Sequence, residues 1–278
     1  MKSLVNKKSC LWLLFIFLIA LTAVLQTVAV ITAYESDTHY FLADSPLPTL
    51  SVLSAILSAL CGTVAAIRTD VSALASSPFS KKNTISPLFF GFLAVAILSV
   101  TSRRAINSSL GVIVILSAVA SLPYTALIGI PTARKKANAL TFWGFAPVIA
   151  SILLLAYFYF DNTLEMNAPL KVSVQIGLLM IPLLMTGELR YLIGREQPKL
   201  FITLATWTAA AGSIAAPSVL IAFFIDKASR IEYVAGALLV FCAALASLSR
   251  IRNLTLTKEN IAEESAPLTH SDSGKEED

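Results

Sequence analysis

Eight runs of apolar residues divide the chain, at about 10–33, 49–67, 87–102, 109–130, 141–160, 172–189, 200–225 and 233–249. Most are close to the roughly 20 residues with which a helix crosses about 30 Å of hydrocarbon. In hydrocarbon every backbone N–H and C=O must be satisfied within a helix or a closed barrel, and these runs lack the alternation of barrel strands. The fold class is therefore all-α: a polytopic helical membrane protein of about eight transmembrane helices, with the lipid bilayer as its surroundings. Composition agrees, since only 14% of residues are charged and mean hydropathy is +0.76, against roughly 25% charged in soluble domains.

The lysines and arginines sort by loop. A path that starts inside and crosses eight times leaves sixteen of them inside and five outside, namely Arg103, Arg104, Lys171, Lys227 and Arg230. Basic residues concentrate on the cytoplasmic side, so both termini are expected in the cytoplasm of a cell-membrane protein. The pI of about 9.0 then reflects topology. A nucleic-acid partner, which would need a basic patch on a folded domain, is not expected.

Span three, "PLFFGFLAVAILSVTS", is short and is followed at once by Arg103 and Arg104. It is read as spanning, with the arginines snorkelling to the interface; a re-entrant segment is the alternative and would invert everything after it. The N-terminal run imitates a secretion signal but is too long for the usual 7–15-residue core, and is read as a first membrane helix. Cys10, Cys61 and Cys242 have no paired spacing and read as packing residues, not as a disulfide or zinc set.

Two halves, 1–136 and 137–252, share weak echoes: "YESDT…SPL" against "YFDNT…APL", and "PLFF" against "PKLF". Four spans return a chain to the same side, so a duplication would be a parallel four-plus-four pseudo-repeat. The stretch 253–278 is polar and acidic, buries too little apolar area to offset the entropy of ordering, and is expected to be a disordered tail holding His270.

Few residues offer chemistry. No run carries a charge near its middle, and the strongest polar groups at depth are Gln26 and Gln175, which interhelical hydrogen bonding would explain. The first outer loop holds Glu35, Asp37, His39 and Asp44, ligand types that a transition metal accepts, but the spacing fits no closed ligand set and a connector is the simpler reading. Neither a metal nor a cofactor is expected. Prolines 123, 147, 182 and 217 allow kinks. In "GELRYLIGREQPKLF", Glu188 and Arg195 bracket a helix end, Gly194 suits a left-handed C′ position, and Pro198 suits the next helix start. Glu188 and Arg190 could there meet a gate or a partner. Outer loops one and three are acidic and loops two and four basic, which suggests that they pair.

The segment Tyr34–Tyr40 (YESDTHY) and the hairpin Glu188–Phe201 (ELRYLIGREQPKLF) resemble a group of uncharacterised multi-spanning membrane proteins of Gram-positive bacteria. The two motifs cover about a tenth of the chain. Where that group often has a basic residue ahead of the first motif, this chain has Gln26. The resemblance implies the same topology and no particular activity.

With no nucleotide loop, catalytic constellation or central charge, the expected role is non-enzymatic: a binding, scaffold or assembly component of the membrane, with a membrane protein as partner. The alternatives are a transporter for a small neutral or amphipathic solute and, more remotely, a lipid-acting enzyme built on Glu35, Asp37, His39 and Asp44.

Overall fold

The computed structural model describes residues 2–71, 74, 77–79, 83–135, 137–162, 164–225 and 230–255, with the backbone alone for 2–9 and 137. Lys81, Lys82, Lys136, Lys227, Lys258, Lys275 and His270 lie outside the described residues, as does 256–278 of the expected tail. Asn253 to Thr255, assigned to that tail, instead continue the last helix, and Asn253 donates to the carbonyl of Pro78 at 3.0 Å.

The described residues are mostly helical: α1 (Lys2–Ala33), α2 (Leu47–Arg68), α3 (Pro87–Thr101), α4 (Arg103–Asn107), α5 (Ser109–Leu127), α6 (Pro131–Arg134), α7 (Ala137–Trp143), α8 (Phe145–Phe160), α9 (Pro169–Leu192), α10 (Pro198–Phe224) and α11 (Ile231–Thr255). Seven helices are long and apolar enough to cross a membrane, with α7 and α8 together supplying one of these spans. The eighth run forms α3, of only 15 residues. Proline opens α2, α3, α9 and α10 in the first turn, where its missing N–H is no loss. Ser102 and Ser108 cap α4 and α5 by accepting from the amides of Ala105 and Gly111. Pro123, Pro182 and Pro217 lie inside helices, whereas Pro147 falls in the first turn of α8, just after the break at Gly144.

Span three runs the whole height of its neighbour. Thr84, just before α3, donates to the carbonyl of Gly129, just after α5, while the other end of α3 joins the start of α5 through α4. Helix α3 thus pairs antiparallel with α5, the arrangement expected of a span and not of a segment that returns to its own side. One end of the bundle accordingly gathers the start of α1 and the end of α11; it is called the Glu188 end here, and the opposite one the Asp161 end.

Helices α10 and α11 pack on each other at the middle of the bundle, α11 also meeting α3 and α9, while the α1–α2 hairpin docks on α10, and α5 bridges α3 to α8. Small residues allow the close approaches: a Cβ on Gly177 would lie 2.5 Å from Val240, and one on Gly62 would lie 2.6 Å from Thr206. The outward faces are apolar, as at Leu53, Ile56 and Leu57 of α2, each at least half exposed. The two halves share the pairings of span one with two and three with four, but α9 packs on α10 whereas the corresponding α2 and α3 form no substantial contact.

Candidate functional site

Helix α9 continues four residues past Glu188, which places this carboxylate in its last turns. It follows Leu178, Ile181 and Met185 at helical spacing on the buried face and is itself 0% exposed. Arg250 occupies the same kind of position on α11, following Ala243 and Ala246, and its side chain is 5% exposed. The two meet: Arg250 Nε donates to Glu188 Oε1 at 2.9 Å, and the hydroxyl of buried Tyr124 on α5 donates to Oε2 at 3.4 Å. Glu188 and Arg195 do lie on either side of the end of α9, but the partner of Glu188 is Arg250, in a buried ion pair joining α9 to α11.

A connecting loop covers this pair. Phe79, between α2 and α3, places its ring centroid 4.8 Å from the Arg250 guanidinium carbon and 5.4 Å from that of Arg134. Arg134 also donates to the carbonyl of Ile128 at 2.8 Å, and burial, then the charge of Arg250, lowers its pKa below the ordinary guanidinium value. Arg250 Nη2 is buried and has no hydrogen-bond partner among the described residues. One prong of the guanidinium fork is thus used on Glu188 and the ring covers its face.

The Asp161 end holds a second polar layer. Asp161, just past α8, has Arg104 at 3.4 Å and Arg230 at 3.8 Å, and accepts from the Tyr233 hydroxyl at 3.1 Å. Lys171, buried in the first turn of α9, donates to the carbonyls of Asp161 at 2.5 Å and Leu164 at 3.3 Å. Ser102 donates to Glu232. Lys171 and Glu188 lie on one helix, which sets the two layers about 25 Å apart at 1.5 Å per residue. The expected pairing of acidic with basic outer loops is met by Asp161 with Arg104 and Arg230; Asp37 of loop one bonds only to its neighbour Ser36 among the contacts described.

The first outer loop is a compact connector. Tyr34 and Phe41 form an isolated antiparallel bridge with their rings 5.5 Å apart, and His39 closes the turn with φ +60. Burial pushes the Tyr34 phenol up to about 12. Glu35 accepts from Thr38 at 3.0 Å, and both Glu35 and Asp37 are exposed. Loop one reaches loop three through Tyr40, whose hydroxyl lies 2.6 Å from Glu165 Oε2 and 2.5 Å from Asn167 Oδ1. Among the described residues no group of three or more His, Cys, Asp or Glu side chains is placed to hold a metal ion.

Gln26 is buried, and both ends of its amide are engaged between helices: Nε2 donates to Ser218 of α10 at 2.8 Å, and Ser51 of α2 lies 2.5 Å from Oε1. Gln175 is half-buried on α9 and its Nε2 has no partner among the described residues. Arg190 is half-buried one turn before Gly194. Cys61 packs against the Leu11 carbonyl, whereas Cys10, read as a packing residue, is exposed. The candidate residues therefore fall into separate places and do not converge on one pocket. A recess lined by Ser99, Gly111, Leu154, Tyr157 and Glu232 at the Asp161 end is too tight to seat a water molecule. Arg250 and Tyr124 were missed because the first reads as a loop charge and the second as an aromatic in an apolar run. Spacing was the available signal: Glu188 and Arg250 each fall in register with an apolar stripe.

Comparison with known proteins finds no matching family, no matching curated protein and no matching solved structure.

Proposed function

We propose that this integral membrane protein resides in the cell membrane, with both termini cytoplasmic, and acts without catalysis as a binding or assembly component. The observation that carries the reading is the dense packing of α11 on its neighbours. Residues Ala235, Ala237, Leu239, Val240, Ala243 and Ala246 of α11 are all 0% exposed, so the inner face of this helix leaves no space beside it for a solute. The polar amide of Gln26 is likewise spent on holding α1, α2 and α10 together.

Cysteine accessibility tests this. In a background with Cys10, Cys61 and Cys242 replaced, single cysteines at Ala237, Val240 and Ala243 should resist membrane-impermeant thiol reagents applied from either side. Native electrophoresis of mildly solubilised membranes should place the 29.8 kDa chain in a larger assembly. Rapid labelling of the α11 cysteines, or migration as a lone chain, would overturn the reading. A transporter for a small neutral or amphipathic solute is the second reading, favoured by the unpartnered Nε2 of Gln175 on the proline-containing helix α9.

A further inference from the structure

Helix α3 is the shortest crossing. Its 15 residues rise about 22 Å, against about 30 Å for a typical hydrocarbon layer. Both flanking residues leave the helical region: Ser86 has φ −65 and ψ 138, and Ser102 has φ −84 and ψ 112. The outer face of α3 is apolar and open, with Phe90, Ile97 and Val100 each more than half exposed. Ser86 and Ser102 are themselves buried, but the non-helical residues 83–85 beyond one end and the side chains of Arg103 and Arg104 beyond the other are exposed, and neither is tolerated against lipid tails, so on this flank the hydrocarbon has to end near Pro87 and near Thr101. Tilting would shorten the reach further.

The charges at the Asp161 end point the same way. Arg104 follows α3 within three residues of its end and is paired with Asp161, which Lys171 and Tyr233 also hold. The side chain is thereby drawn to the protein at the level where α3 stops. Other flanks of the α10–α11 pair are longer: the apolar parts of α1 and α2 have 24 and 22 residues, and α10 has 27. Helix α3 packs on α5 and α11, while α1 and α2 pack on α10.

We propose that the α3 flank selects phospholipids with short acyl chains and holds a locally thinned bilayer, while the α1–α2 flank takes lipids of ordinary length. The inference rests on placement in a membrane and not on the assembly role. The test uses reconstitution into phosphatidylcholine vesicles whose chains are brominated and vary in length, with Trp12, Trp143 and Trp207 replaced by Phe. One reporter, Phe90→Trp, sits on α3; the other, Phe17→Trp, sits on the exposed face of α1. Quenching competition should show the α3 reporter preferring chains of about 14–16 carbons by roughly twofold over about 18, and the α1 reporter preferring about 18. Ile97→Trp serves as a second α3 reporter should Phe90→Trp fail to fold. An identical chain-length optimum on both flanks would overturn the proposal and leave the membrane placement standing; no quenching at either position would overturn the placement itself.

Discussion

Glu188 and Arg250 depend on each other more than either contributes alone. Removing one partner leaves the other charged and buried, at a typical cost of about 3–5 kcal/mol, whereas replacing both by apolar residues is often neutral or better. Arg250→Met or Glu188→Leu alone should therefore lower thermal stability in detergent sharply, and the double variant should recover most of the loss. Additive losses would mean that the pair carries no coupling. The Asp161 contacts are of another kind, because the Arg104 side chain is 53% exposed and such pairs are worth only about 0–1 kcal/mol. A double-mutant cycle between Asp161→Asn and Arg104→Gln should give a small coupling that fades with added salt. The same cycle with Asp37→Asn in place of Asp161→Asn should be additive, since Asp37 bonds within its own turn.

At the scale of elements, what could be read from the sequence is what local chemistry decides. The turn after α9 is the clearest instance. Gly194 takes φ +70, its amide donates to the Tyr191 carbonyl, and the amide of Arg195 donates to that of Arg190, the two bonds of a Schellman ending; Pro198 then opens α10. Gly194→Ala should cost about 1 kcal/mol, measurable as a modest drop in melting temperature, since an added side chain meets no neighbour and only the left-handed backbone is strained. Gly62→Val should do more harm, because it pushes α2 from Thr206 of α10 and should loosen the α1–α2 hairpin, seen as faster proteolysis of the 34–46 loop. The eight runs, the proline starts and the pairing of acidic with basic loops were legible for the same local reasons. The partner of Glu188 was not, because it lies 62 residues away on a helix whose end looked like a loop. Nor could periodicity show that α11 would pack on α3, α9 and α10, since apolar helices of similar length do not announce which neighbour each will meet.

For the whole molecule the central question is which way it faces. The contacts place the start of α1 and the end of α11 at one end, and the bias of lysine and arginine is the ground on which that end is proposed to be cytoplasmic. Reporter fusions after Lys135 and Arg195 should give a cytoplasmic signal, and one after Asp44 an external signal; an external signal at Lys135 would reverse the proposed orientation. The position of α11 also orders events during synthesis. Helix α11 leaves the ribosome after α3, α9 and α10, the helices it packs on, so those enter the bilayer before it. Until it arrives Glu188 has no counter-ion, and the membrane holds an unfinished chain marked by a lone buried charge. Quality-control proteases that survey membrane helices would meet that charge on a chain cut before α11 and not on one that includes it.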